Sequence, residues 1–239
     1  VSSAATHLAR ALFRLRSFTP LPLAVAVVAL SWRGHILPGP GGAVVDGALD
    51  VAGLALASLG TAVRVVAVGC EPRLNTQTRR LRADHLFTTG PYAVMRHPLY
   101  LGNALIVLGL LCIVNEPWAW GLVAGGFLGS TLLILRAEEA LLSERFGAAW
   151  TSWAAQVPLV SLDPRRWRAL AGVAFDWRTA VRREVNPLVA WGLLAQALLG
   201  WEWWARETLT PERAAALQGA VGLLLALLVG NKLWKLARP

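Results

Sequence analysis

The sequence predicts an all-α fold, a polytopic membrane helix bundle of about six transmembrane helices. Three observations carry that expectation. Of the 239 residues, 56% are hydrophobic and 15% are charged, whereas soluble domains run at roughly 45–50% and about 25%. The apolar residues come in blocks of roughly 17–23, the length a helix needs to cross a hydrocarbon core of about 30 Å. The basic residues fall between those blocks rather than along them. Lipid offers no partner to an open strand edge, so blocks of this length are helices.

Taken in order, the first span is Phe18–Ile36 and the second Gly47–Gly69. The third and fourth, Pro98–Val114 and Pro117–Leu135, are joined by the short turn Asn115-Glu116-Pro117 and so form a helical hairpin. The fifth is Pro187–Trp204 and the sixth Ala214–Asn231. A signal peptide would also begin with Arg10, Arg14, Arg16 and an apolar run, but Trp32 and Arg33 follow instead of a small-residue cleavage site, which favours an uncleaved span. Within the polar stretch Ala137–Val185, apolar residues at spacings of three and four predict a helix over Glu138–Trp153. Trp167, Phe175 and Trp177 with flanking arginines predict an interfacial stretch.

The formal charge is +9, from 23 Lys and Arg against 14 Asp and Glu. With both termini in the cytoplasm, every basic residue except Arg33, Arg64, Arg206 and Arg213 falls on the cytoplasmic side, as the positive-inside rule asks. Trp32, Trp118, Trp120, Trp201, Trp203 and Trp204 fall at the opposite interface as an aromatic belt. This distribution reads as membrane topology and not as a nucleic-acid footprint. Asp46 and Asp50 lie at the outer end of the second span, where water reaches them. Arg64 lies inside that span, near its inner end, where it can snorkel. Gly121, Gly125 and Gly129 share one face of the fourth span and would let a neighbouring helix approach closely. Cys70 and Cys112 fall at opposite faces, and no Cys/His cluster has metal-ligand spacing. Nor is there a P-loop, GxGxxG, HExxH or GxSxG.

The chemistry-bearing residues gather in two groups. One is Gly90-Pro91-Tyr92 followed by Arg96-His97-Pro98-Leu99-Tyr100-Leu101-Gly102-Asn103; the other is Arg136-Ala137-Glu138-Glu139. The hairpin puts both at the cytoplasmic ends of adjacent helices. Pro98 suits the first turn of the third span, whose free N–H groups, with Arg96 and His97, make an anion site. The fourth span ends there with its negative pole and two glutamates, a site for cations or hydroxyls. A ligand with a carboxylate, an ammonium or sulfonium, and a ribose matches both ends, and S-adenosylmethionine has that distribution.

Gly90-Pro91-Tyr92, Arg96-His97-Pro98-Leu99-Tyr100 with Gly102, Glu138-Glu139, and Phe146-Gly147 before Trp150 resemble the isoprenylcysteine carboxyl methyltransferase and phospholipid N-methyltransferase superfamily, over about Gln77–Pro158. The resemblance implies an integral membrane enzyme with a cytoplasmic cofactor pocket, using S-adenosyl-L-methionine to methylate a lipid-like or isoprenoid-linked acceptor. By position it implies cofactor contacts from His85, Leu86, Phe87, Tyr92, His97, Pro98, Leu99, Tyr100, Gly102, Glu138 and Glu139, with Gln77 as a further contact. Arg136 would face the acceptor, and His97 would join it in catalysis. The implied organisation is N-terminal transmembrane helices over 1–70, a methyltransferase core over 71–160, and a basic loop with C-terminal helices over 161–239. The expected setting is a bacterial inner membrane, and the partners are the bilayer and a hydrophobic methyl acceptor. The acceptor's nucleophile (carboxylate, amine or thiol) stays open. So do two other readings: a membrane NADPH-dependent reductase related to sterol reductases, and a non-enzymatic membrane subunit.

Overall fold

The computed structural model describes residues 42–72, 85–161, 163 and 165–237. The expected first span lies outside these residues, as do Gln77 and the basic residues at positions 10–16, 73–82 and 238. Every regular element among the described residues is helical. In chain order these are α1 (Gly42–Cys70), α2 (Pro91–Val94), α3 (Pro98–Val114), α4 (Pro117–Phe146, with a π-helical turn at Trp120–Ala124), α5 (Ala148–Gln156), α6 (Trp177–Ala205) and α7 (Pro211–Ala237). A 3-10 turn, Arg166–Leu170, precedes α6.

By length and composition, α1, α4 and α7 can cross a membrane. The apolar α3 is shorter, at 17 residues. Helix α6 is long enough, at 29 residues, but its first turns carry Arg178, Arg182, Arg183 and Glu184. The expected fifth span covers only its apolar C-terminal part, because the helix continues ten residues before Pro187. The expected helix over Glu138–Trp153 is two helices. Glu138 and Glu139 prolong α4 to Phe146, and Gly147, at φ 50°, breaks the chain before α5.

The central packing is α1 against α3, running antiparallel. Gly53 faces Gly109 and Gly60 faces Gly102, so glycines seven residues apart on each helix meet in pairs. A Cβ on Gly53 would sit 2.5 Å from the Gly109 carbonyl oxygen, and one on Gly60 would sit 2.5 Å from that of Gly102. The two backbones therefore touch, as helices in lipid do when small residues line the seam. The glycines of α4 do not play that part. A Cβ at Gly121, Gly125 or Gly129 would meet no described atom within 4 Å. At the π turn, Ala119, Trp120 and Val123 pack around Leu111.

Helix α6 covers the α1–α3 pair. Leu110 and Ile113 of α3 share a core with Ala195, Leu198 and Leu199 of α6, flanked by Leu54 of α1 and Leu217 of α7. At the end opposite the α3 N-terminus, Asp46 is buried rather than wet. It accepts from Asn115 Nδ2 at 2.6 Å and pairs with Arg206 Nη1 at 2.6 Å. Arg206 also pairs with Glu202 at 2.6 Å. Of the expected belt, Trp118 and Trp204 are exposed, while Trp203 packs inward beneath the Arg213 guanidinium, 4.8 Å from its ring centroid.

Candidate functional site at the α3–α4 junction

The segment before α3 is a tight ladder. Gly90 has φ 58°, a left-handed conformation that glycine adopts without penalty, and Pro91 starts α2 directly after it. Tyr92 N donates to Thr89 O at 3.1 Å. The Tyr92 side chain is buried, its ring 5.5 Å from that of Phe87, which in turn lies 6.1 Å from His85. Burial and the nearby Glu138 carboxylate push the Tyr92 phenol well above its ordinary value, so it stays protonated and keeps its O–H as a donor. Arg96 N donates to Pro158 O at 2.9 Å, which ties the chain after α5 to the entrance of α3.

His97 caps α3 with its backbone, and Pro98 opens the helix without wasting an N–H. His97 O accepts from Tyr100 N at 3.1 Å and Leu101 N at 3.3 Å. The two glutamates of α4 arrive at this turn. Glu139 Oε1 receives Arg96 Nη1 at 2.7 Å and lies 3.1 Å from His97 Nε2. Tyr100 OH donates to Glu138 Oε2 at 2.9 Å. The rings of His97 and Tyr100 meet edge to face at 5.7 Å. His97 is buried, whereas Arg96, Tyr100, Glu138 and Glu139 are each partly open. The two glutamates therefore have different work. Glu139 is engaged by two basic neighbours, and Glu138 accepts from the Tyr100 phenol.

The structure thus brings together Phe87, Tyr92, His97, Pro98, Tyr100, Glu138 and Glu139 at one end of the α3–α4 pair. His85 is exposed beside Phe87, while Leu86 and Leu99 are partly buried. Gly102 is not turned toward that junction. It faces α1, where a Cβ would sit 2.5 Å from Arg64 Cγ and 2.7 Å from Gly60 O, so its smallness serves helix packing. Arg136 is exposed on α4, one turn before Glu139.

One buried constellation is not readable from the sequence. Arg64 does not snorkel. Its Nε and Nη2 grip Glu184 of α6 at 2.7 and 3.1 Å, and its Nη1 donates to Asn103 Oδ1 at 2.5 Å. Glu184 is 2% exposed. A lone arginine in an apolar span signals a partner. The partner lies 120 residues away in sequence and no local spacing could reveal it.

Residues 49–149 match the phospholipid methyltransferase family. The matched segment starts within α1, earlier than the motifs alone reach. The chain also resembles the nickel-cobalt-cadmium resistance protein NccN of Alcaligenes xylosoxydans xylosoxydans, at 34% identity over 65 residues, 27% of this chain and 30% of that protein. The similarity therefore spans under a third of that relative's length. No solved structure matches the chain. The family match bears out the superfamily resemblance and does not favour a reductase. Residues 49–149, which run from α1 to the start of α5 and contain the whole α3–α4 junction, are the part of the chain that is similar to the phospholipid methyltransferase family.

Proposed function

We propose that the protein is an integral membrane methyltransferase that uses S-adenosyl-L-methionine and methylates a lipid-like or isoprenoid-linked acceptor. The observation that carries this reading is the meeting of His97 and Tyr100 with Glu138 and Glu139 inside the family-matched segment. The donor set fits such a ligand. The amino end of α3 supplies N–H donors and a positive pole for a carboxylate. Glu138, with its phenol partner, suits an ammonium or ribose hydroxyls. Tyr92 and Phe87 supply aromatic surface beside them.

S-adenosylmethionine supplies, when bound, a methyl group activated on a sulfonium sulfur. The residues of this chain bind, orient and exclude water. A sulfonium loses charge during transfer, so a carboxylate held against the sulfur would oppose the reaction. Glu138 is better placed at the amino or ribose end. Arg96 and His97 offset the charge of Glu139 and keep it from that part. A carboxylate acceptor needs no base. An amine or thiol must lose a proton, and His97, with Nε2 turned to Glu139 Oε1, is the group that can hold it, at its other ring nitrogen Nδ1. Tyr92, kept protonated, is not the base. Arg136, exposed beside the junction, is assigned to the acceptor's polar end.

The orientation that suits this reading puts the junction on the cytoplasmic side, with both chain ends there, in a bacterial inner membrane. The test is incubation of membranes containing the protein with methyl-labelled S-adenosylmethionine, followed by extraction. Label in the lipid-soluble fraction that depends on the protein is the expected result. No protein-dependent label in any fraction, together with thermal stabilisation by NADPH alone, would overturn the reading.

A further inference from the structure

The family-matched segment ends at residue 149, yet α6 makes three polar or close contacts along the last three turns of α1. Trp191 Nε1 donates to Thr61 Oγ1 at 2.8 Å. Glu184 pairs with both Nε and Nη2 of Arg64. Asp176, which caps α6 by accepting from Thr179 N at 3.0 Å, donates its own N–H to Gly69 O at 2.8 Å, with the Phe175 ring laid over Gly69. Val173 reaches the Gly90 turn from the same side.

The middle contact leads to the junction. Arg64's third nitrogen holds Asn103, and its stem fills the space beside Gly102. Gly102 and Asn103 lie in the first turns of α3, two and three residues after Tyr100. Arg64 is thus clamped between Glu184 on one side and the start of α3 on the other. A guanidinium held by two carboxylate oxygens and one amide oxygen has its plane fixed.

We propose that Arg64 and Glu184 are positioning residues for the methyl-transfer site. Through them the C-terminal helices, which lie beyond the family-matched segment, set the register of the α3 start and so the approach of His97 and Tyr100 to Glu138 and Glu139. The inference rests on the reading of the junction as a site for S-adenosylmethionine. It assigns the region after residue 149 a part in that site rather than the part of an added anchor.

The fold provides its own control. Asp46–Arg206 is a second buried ion pair between the α1 and α6 regions, at the opposite end of the bundle. The experiment compares Glu184→Gln, Glu184→Asp and Asp46→Asn with wild type in detergent. It measures S-adenosylhomocysteine affinity, KM and kcat alongside the melting temperature without ligand. The expected result is that Glu184→Gln and Asp46→Asn melt earlier by similar amounts, but only Glu184→Gln weakens S-adenosylhomocysteine at least tenfold and raises KM for S-adenosylmethionine. Glu184→Asp, which keeps the charge, should recover part of the loss and serves as the reporter if Glu184→Gln does not fold. Wild-type affinity in the Glu184 variants, or equal weakening by Asp46→Asn, would overturn the inference while leaving the functional reading intact. A wild-type protein that does not bind S-adenosylhomocysteine would overturn the functional reading, and this inference with it.

Discussion

At the scale of single residues, the junction works by dividing labour between neighbours of the same type. Glu138 and Glu139 are adjacent in sequence, yet one meets Tyr100 while the other is engaged by Arg96 and His97. Tyr92 and Tyr100 differ in the same way. The Tyr92 phenol is buried, and burial together with Glu138 raises it above its ordinary value near 10. A group raised on folding stabilises the protein fully below its unfolded value, and that contribution is lost as pH climbs toward the folded one. The melting temperature should therefore begin to fall as pH passes about 10. Tyr92→Phe should flatten that fall, as a pH series of thermal melts would show. An identical fall in the variant would mean that the phenol is not held neutral. The residues at this end were legible in sequence because their types are unusual for an apolar chain and the hairpin turn is short. Arg64 was visible as an oddity, but its partner was not, since Glu184 sits in another helix far along the chain. Asp46 was misread as wet for the same reason: Asn115 and Arg206 bury it from distant positions.

At the scale of elements, glycine has two opposite meanings here. Gly53 and Gly60 on α1, with Gly109 and Gly102 on α3, put two backbones in contact. Gly125, in the more conspicuous stripe of α4, faces no described atom within 4 Å. Spacing alone could not separate these cases, because both sets fall on one helix face, and only the partner helix decides. Gly60→Ala should destabilise by about 1–3 kcal/mol, since the added carbon meets backbone that cannot step aside. It should also disturb the start of α3 through Gly102. Gly125→Ala should be neutral, or stabilise by roughly 0.5–1 kcal/mol through the helix preference of alanine. Chemical denaturation in detergent checks both, and the reverse order would show that α4 carries the tight seam. The boundaries of α3 were legible to the residue because Pro98 and the left-handed Asn115 bracket it. Those of α6 were not, because a proline inside a helix reads from sequence as its start, while here α6 carries Pro187 in its interior.

At the scale of the whole molecule, α1, α3, α4, α6 and α7 run alternately between two polar ends. One end holds the Asp46–Arg206–Glu202 network and the other holds the α3–α4 junction. The helical class and the meeting of the two motif groups follow from block length and a short turn, which is physics a sequence carries. The tie from α6 to the start of α3 through Glu184, Arg64 and Asn103 does not, because it depends on long-range ion pairing. The central claim is that this junction grips a sulfonium nucleoside. The most direct measurement is calorimetric titration of S-adenosylhomocysteine into purified wild type, Glu138→Gln and His97→Ala. Wild type should bind, and each variant should lose at least about tenfold, as expected for one charge-assisted hydrogen bond worth about 1.5–3 kcal/mol. Wild-type affinity in both variants would contradict the claim.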